Sequence, residues 1–400
     1  MSTAATERYT IISADCHAGG SHAQYREYLE KKYLDEFDAW RAKYRNPFRD
    51  LQEDGRSRNW DDERRTNDLN AEGVAGEVVF PNTVPPFFPT GVVIAPAPSP
   101  EEFELRLAGI RAHNRWLADF IAHDPVRRVG QAQIFLNDVD QAIEDVRWCK
   151  EHGINAVLLP GVAPDTPWIE PLSSPVYDPL WAECQELDMP LTHHGGGSGI
   201  PKMPDTPVRN LLYVMEVGFY AHRALWHMIW GGVFERFPNL KLVLTEQGTD
   251  WVLPTLAQMD TIFERMKSGR IGELGVPAEA VPSMKPSEVF KRNVWLGASF
   301  PARPDAVLFR EIGLDRVMWG SDYPHHEATS PYTRESLRRT FEGWSPEELR
   351  MVLAENAAKV YGFDLDKLAP IAQEIGPTVE EIATPLDKIP PKATSPAFFR

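Results

Sequence analysis

Residues 9–20 read YTIISADCHAGG, a short β-rich apolar run that ends in an aspartate and a histidine and is followed by two glycines. Two later stretches have the same form, KLVLTE at 241–246 and RVMWGSD at 316–322. In each, an apolar strand runs directly into a carboxylate. This arrangement is typical of parallel α/β folds, because their functional groups collect at the carboxyl ends of the strands.

Eight short β-rich runs recur along the chain, and segments with helical periodicity lie between them. Alternation of this kind predicts parallel strands joined by right-handed helical crossovers, and eight such units close into an α/β fold of the (β/α)8 TIM-barrel type. The alternative is a doubly wound open sheet, but such a sheet usually has fewer strands, and no GxGxxG motif follows the first strand of this chain. The predicted strands are 9–14, 77–80, 129–136, 156–159, 190–194, 241–245, 293–296 and 316–319, and the clearest helical segments are 138–152, 175–187, 212–237 and 305–312.

Three segments depart from a minimal barrel. We expect the barrel to occupy residues 1–363, with insertions at about 22–70 and 81–100 that cover its mouth. The first insertion is long, polar and aromatic, and the second is rich in proline. Residues 364–400 lack the alternation of strands and helices and are predicted to form a C-terminal extension over the barrel or a neighbouring subunit.

Composition and charge exclude several classes of function. Hydrophobic residues make up 42% of the 400 residues and charged residues 25%, which is ordinary for a globular protein with a large core. The formal net charge is −16, with acidic residues spread along the chain. General binding to nucleic acid or to an anionic membrane is therefore not expected, since both need a positive surface.

The cysteines and the amino-terminal residues indicate the compartment. Cys16, Cys149 and Cys184 are an odd number at scattered spacings, which favours a reducing environment over a disulfide framework. The chain begins without a signal-peptide pattern and has no apolar run of membrane-spanning length. We therefore expect a cytoplasmic protein that acts on a small molecule, and we further expect a homo-oligomer.

Candidate metal ligands lie at the predicted strand ends. Asp15 and His17 are two residues apart, so the strand period of two points both side chains to the same side. His194 closes the fifth strand just before three glycines. Because neighbours on a strand face opposite sides, we assign the inward position to His194 and keep His193 as a second candidate.

Two carboxylates complete the set. Glu246 and Asp322 each follow an apolar strand, where an unpaired buried carboxylate would be costly and a cation is the natural partner. Mixed carboxylate and imidazole ligands suit divalent metals. For Glu246, an ion pair with a core arginine or lysine is the structural alternative. His325 and His326 follow Asp322 closely and are candidate catalytic residues together with Glu246.

These motifs resemble the amidohydrolase-2 group of TIM-barrel metalloproteins. The resemblance rests on DCHAG after the first strand, the histidine and carboxylate that close strands five and six, GSDYPHHE after strand eight, and the run GGVFERFPNLKLVLTEQGTDWV. It implies metal binding by Asp15, His17, His194 and Asp322. The chain departs from the pattern at Glu246, where decarboxylase members have a catalytic histidine. It also lacks, in 155–159, the bridging lysine of binuclear hydrolases.

The same pattern is similar to a TIM-barrel branch of non-haem diiron oxygenases, typified by the monooxygenase of platensimycin and platencin biosynthesis. That resemblance implies two irons, O₂ and a CoA-linked, terpenoid-like acyl substrate that is hydroxylated. Glu246 would serve both irons, with His193 or the pair His325 and His326 completing the second coordination sphere. The alternative is a hydrolase or non-oxidative decarboxylase with one zinc or manganese ion, in which Glu246 or His325 moves the proton.

Overall fold

Eight parallel strands form one sheet in the computed structural model, which describes residues 7–45, 53–89 and 95–399. Each strand pairs with the next along the chain, so the spatial order of the strands equals their sequence order. The strands are β1 Ile12–Ala18, β2 Gly76–Pro81, β3 Arg128–Gln133, β4 Ala156–Leu158, β5 Leu191–His194, β6 Leu242–Thr245, β7 Val294–Ser299 and β8 Val317–Gly320. A separate antiparallel hairpin joins Arg270–Ile271 to Leu274–Gly275.

The sheet closes at its carboxyl end through the segments that follow β1 and β8. The amide of Asp322 donates to the carbonyl of Asp15 at 2.8 Å, and the amide of His17 donates to the carbonyl of Tyr323 at 2.6 Å. The amide of Ser321 also donates to the hydroxyl of Ser13 at 2.8 Å. The predicted (β/α)8 barrel is thereby confirmed, and the open doubly wound sheet is not the fold.

Helices surround the barrel and connect its strands. Typical is the helix after β3, where Ala142, Val146 and Cys149 recur at helical spacing and are buried against the sheet. The helices are α1 His22–Tyr28, α2 Leu34–Lys43, α3 Asp62–Glu72, α4 Phe103–Ala122, α5 Val139–Glu151, α6 Asp178–Glu186, α7 Arg209–Trp230, α8 Val233–Arg236, α9 Val252–Met266, α10 Pro286–Asn293, α11 Arg303–Ile312, α12 Thr333–Thr340, α13 Pro346–Arg350, α14 Asn356–Tyr361, α15 Leu365–Ile375 and α16 Val379–Ala383. Of the helices in the described ranges, none is long and apolar enough to cross a bilayer.

The first predicted insertion contains α1, α2 and α3. Its buried Tyr25 shares hydrogen bonds with Thr83 at 2.6 Å and with His113 of α4 at 2.7 Å. From α3, Arg65 donates to the carbonyl of His17 at 2.8 Å, which ties the insertion to the carboxyl end of β1. Parts of both predicted insertions, residues 46–52 and 90–94, lie outside the described residues. Covering of the mouth by these segments stays a prediction.

The segment after residue 363 packs against the barrel of its own chain. Leu368 and Ala372 of α15 join the buried cluster that contains Ile12 of β1 and Met318 of β8. Farther along, the hydroxyl of Thr394 donates to the carbonyl of His326 at 2.8 Å. The tail therefore runs from the core of the barrel to the segment that follows β8, and it includes two helices that the sequence patterns did not predict.

A buried ion pair joins α3 to the barrel wall. Glu77 of β2 is 1% exposed and accepts from Arg65 at 2.6 Å and from Arg128 at 3.3 Å. Burial alone would raise the pKa of Glu77, but the guanidinium groups outweigh burial and lower it. The carboxylate is therefore ionised and compensates two buried cations.

We predict that Glu77→Gln destabilises the protein by about 3–5 kcal/mol, because it leaves the buried guanidinium group of Arg65 without a counter-charge, whereas Arg128 keeps its ion pair with Asp62. The shift in the denaturation midpoint measures this effect. Asp38→Asn is the matched control, since the ion pair of Asp38 with Arg26 is exposed. An equal response to both substitutions would contradict the importance of burial.

Candidate metal centre

Asp15 and His17 of β1 direct their side chains to the same point. Asp15 Oδ1 lies 3.2 Å from His17 Nε2. The other ring nitrogen of His17 lies 3.3 Å from the carbonyl oxygen of Pro81, so Nδ1 can donate there while Nε2 keeps its lone pair. The pairing of β1 with β2 is irregular between Ser13 and Cys16, just where this turn toward the site occurs.

His194 and Asp322 reach the same point from β5 and from the segment after β8. His194 Nε2 lies 3.5 Å from Asp15 Oδ1, and Asp322 Oδ1 lies 3.1 Å from His17 Nε2. The amide of Gly196 donates to His194 Nδ1 at 3.0 Å and so fixes the ring. Four side chains from three places in the barrel thus surround one small volume.

Several atoms in this volume lack hydrogen-bond partners within the described structure. They are Asp15 Oδ1, His17 Nε2, His194 Nε2 and Asp322 Oδ2, all buried. Orphaned buried polar atoms are costly, and those of Asp15, His17 and His194 lie within metal-ligand distance of one another and need a common partner. Asp322 approaches the same nitrogen of His17 through its Oδ1. Two carboxylates and two imidazoles suit a divalent cation, so the residues fit a metal ion.

The charges of the group favour a cation as well. Burial alone would disfavour the charged forms of Asp15, Asp322 and His17. It is outweighed by neighbouring groups, which lower the pKa of Asp15 and of Asp322 and raise the pKa of His17 well above its usual value. Both aspartates are therefore ionised, and a bound metal ion would displace the proton that His17 otherwise holds between them.

Glu246 borders this group on its open side. Its Oε2 lies 3.5 Å from His194 Nδ1, and its side chain is 24% exposed, whereas the side chains of Asp15 and Asp322 are fully buried. Partial burial raises the pKa of Glu246 well above its usual value, and the negative charges of Asp322 and Asp15 raise it further. Glu246 also comes within metal-ligand distance of Asp322 and Glu327.

The strand ends that carry the two acidic groups have unusual backbone geometry. Glu246 has φ 55° and Asp322 has φ 65°, in the left-handed region that residues other than glycine rarely adopt. Such strain persists where the surrounding structure enforces it, and it is frequent at functional sites. The left-handed turn directs each carboxylate across the barrel end instead of along its strand.

Of the adjacent histidines, one of each pair joins the site. His325 Nδ1 lies 2.9 Å from Asp322 Oδ1, whereas the His326 side chain is exposed. His193 is buried on the other side of β5, where Gln247 donates to its Nδ1 at 3.1 Å and to its carbonyl at 2.7 Å. A ligand role for His193 and a catalytic role for His326 do not fit this geometry. His193 points away from the site because successive side chains along a strand face opposite sides.

Sequence reasoning missed three residues at the site. Ser299 hydrogen-bonds to Asp15 Oδ2, Asn82 Oδ1 lies 3.1 Å from His325 Nε2, and Glu327 lies beside Glu246 and Asp322. Ser299 ends β7 and Asn82 follows β2, so the strand-end rule already applied to the ligands would have found both.

The fold and this side-chain group define a (β/α)8 barrel of the metalloenzyme type. The sequence profile of the amidohydrolase family matches residues 17–363, and the chain belongs to that family. Its sequence is 26% identical to the gamma-resorcylate decarboxylase of Rhodococcus jostii over 234 residues, which are 54% of this chain and 65% of that enzyme.

Solved structures show the same fold. An amidohydrolase from Mycobacterium avium subsp. paratuberculosis superposes with a TM-score of 0.65 at 20% identity, covering 88% of this chain and 99% of that one. A dihydroxybenzoic acid decarboxylase from Polaromonas, solved with manganese and 2-nitroresorcinol, gives 0.59 at 19% identity, covering 88% and 97%.

These relatives overturn the expected diiron monooxygenase. The similar proteins with stated reactions are decarboxylases, so a monooxygenase acting on a CoA-linked substrate is the wrong prediction. Two irons, O₂ and CoA likewise find no support. The mixed carboxylate and histidine set suggested iron because the same residue types serve several metals.

We predict that His194→Gln strips the metal while His193→Gln keeps it. Only the His194 ring faces the orphaned atoms, so the two neighbours form a matched pair. Metal content per chain, measured after dialysis against metal-free buffer, gives the result. Thermal unfolding of both variants controls for folding. Equal metal loss in the two variants would contradict the assignment.

Proposed function

We propose that this protein is a metal-dependent, non-oxidative decarboxylase that removes CO₂ from a hydroxylated aromatic carboxylate. The observation that carries the proposal is the group of Asp15, His17, His194 and Asp322 around one small volume, with the carboxyl group of Glu246 beside it on the open side. The resorcylate and dihydroxybenzoate decarboxylases among the relatives supply the reaction class. The alignment with the Rhodococcus enzyme spans 65% of its length, so the substrate class is part of the proposal.

Asp15, His17, His194 and Asp322 would hold one divalent cation, manganese or zinc. Manganese is the ion bound in the Polaromonas enzyme. When bound, such an ion polarises and orients the carboxylate and neighbouring hydroxyl of a substrate. A second ion bridged by a lysine has no support, because β4 reads Ala-Val-Leu.

The reaction replaces the carboxylate on the ring by a proton and is redox-neutral. One proton adds to the ring carbon, the bond from that carbon to the carboxylate breaks, and its electron pair returns to the ring as CO₂ leaves. Glu246 is placed to deliver this proton, because its side chain reaches the open side of the site, whereas Asp15 and Asp322 are fully buried.

His325 is better suited to positioning than to proton delivery. Its Nδ1 lies 2.9 Å from Asp322 Oδ1 and its Nε2 lies 3.1 Å from Asn82 Oδ1. With both ring nitrogens engaged, neither is available to a substrate. The contact orients the carboxylate of Asp322, as groups behind metal ligands commonly do.

Phe80 supplies an apolar wall beside the ligand nitrogens. Its ring centroid lies 4.8 Å from that of His194 and 5.9 Å from that of His17. Aromatic rings bind against such surfaces in offset or edge arrangements. Phe80 is 1% exposed, so it packs behind the two histidine rings and holds them in place rather than contacting a substrate.

The direct test is anaerobic turnover of a panel of hydroxybenzoates that includes 2,6-dihydroxybenzoate. Protein reloaded with manganese should release CO₂ and the decarboxylated phenol in equal amounts without O₂, and protein treated with a chelator should be inactive. Product formation that requires O₂, or turnover unchanged after the metal is removed, would sink the proposal.

We predict that Glu246→Gln lowers turnover by about 10²- to 10⁴-fold, the usual contribution of a general acid, while the metal content stays near that of the unmodified protein. Glu327→Gln is the matched control, because Glu327 is the exposed neighbour of the same site. Metal loss in Glu246→Gln would instead make Glu246 a ligand, as the sequence alone suggested.

A further inference from the structure

The first half of α7 exposes an unusual amount of apolar surface. Of the eleven large hydrophobic side chains that are exposed in the described residues, six fall within residues 208–219. The buried residues of this 22-residue helix begin only at Ala221. The amino-terminal half therefore leaves much of its apolar surface uncovered, although Tyr213 on another side of this half lies near Glu246. The six are Val208, Leu211, Leu212, Val214, Met215 and Phe219.

Four of these residues have the spacing of a coiled-coil seam. Val208, Leu212, Met215 and Phe219 are separated by four, three and four residues, which is the alternation of d and a positions in a heptad. We call these four residues the α7 stripe. They are 45% to 79% exposed. Contiguous exposed apolar surface of this kind marks an interaction site.

The α7 stripe is complementary to itself in the antiparallel direction. A two-fold axis midway between Tyr213 and Val214 places Val208 opposite Phe219 and Leu212 opposite Met215, so apolar residues meet at each level. No polar residue enters the seam in this register. A second helix with the same sequence can therefore pack along the seam with an apolar residue opposite each apolar residue.

The charges that flank the α7 stripe favour the same pairing. Arg209 and Glu216 are exposed and hold equivalent positions next to the seam, one heptad apart. In the antiparallel register, the height of Arg209 along the seam differs from that of Glu216 in the partner helix by two residues. At the helical rise per residue, this offset is about 3 Å. Each copy thus offers an opposite charge to its partner, and the symmetry forms the ion pair twice.

We infer that α7 pairs with α7 of a second copy of this chain, in an antiparallel homodimer centred between Tyr213 and Val214. A lipid surface is a poorer occupant, because Arg209 is the single basic residue in the exposed half of the helix and the chain carries a net charge of −16. The symmetry of both the apolar residues and the charges is what specifies a second copy. This inference does not depend on the proposed reaction.

Sedimentation velocity tests the state of the unmodified chain. Its particle should have a mass of about 90 kDa, twice the 45.2 kDa of one chain. Leu212→Glu with Met215→Glu should give a folded monomer, since both side chains are already exposed. Val307→Glu is the matched control, because Val307 is 56% exposed on α11 and should leave the dimer intact.

A charge exchange tests the register. Arg209→Glu or Glu216→Arg alone should weaken the dimer on the order of tenfold, because two symmetric ion pairs become repulsive. The double exchange should restore it. Three results would overturn the inference: a monomer at about 50 µM, a dimer insensitive to the α7 stripe, or a monomer whose stripe binds anionic vesicles. Failure of the double exchange to restore the dimer would overturn the antiparallel register.

Discussion

The backbone contact between Asp15 and Asp322 is the constraint on which the barrel and its site both depend. The amide of Asp322 reaches the carbonyl of Asp15 at 2.8 Å, and this bond closes the ring of strands beyond β1 and β8. The side chains of the same two residues are the buried carboxylates of the metal site. Closing the barrel therefore assembles the ligands, and two like charges are brought together that only cations can stabilise.

Much of this arrangement was predictable because it follows from two simple periods. The alternation of strands and helices predicted the barrel, and the strand period of two predicted that Asp15 and His17 would act together. The same period separates His194 from His193, which the structure places on opposite sides of β5. These features depend on local geometry, which one sequence contains in full.

The rest depended on contacts between distant parts of the chain or on the chemistry of the metal. His325 and Asn82 are 243 positions apart, and no local pattern joins them. The exposed half of α7 has the amphipathic spacing of an ordinary surface helix, so the sequence could not show that its apolar side chains are uncovered. The type of reaction was likewise hidden, since carboxylates and imidazoles bind iron, zinc and manganese alike.

The difference in exposure among the acidic groups connects the fold to the chemistry. The side chains of Asp15 and Asp322 are fully buried, so their charges act at the centre of the site. The side chain of Glu246 is partly exposed. Glu246 and Asp322 share a left-handed backbone, so their different exposure comes from where each lies at the barrel end and not from the backbone conformation. A site that needs one group to hold a cation and another to meet a substrate can thus be made from the same residue type, placed at different depths in the barrel mouth.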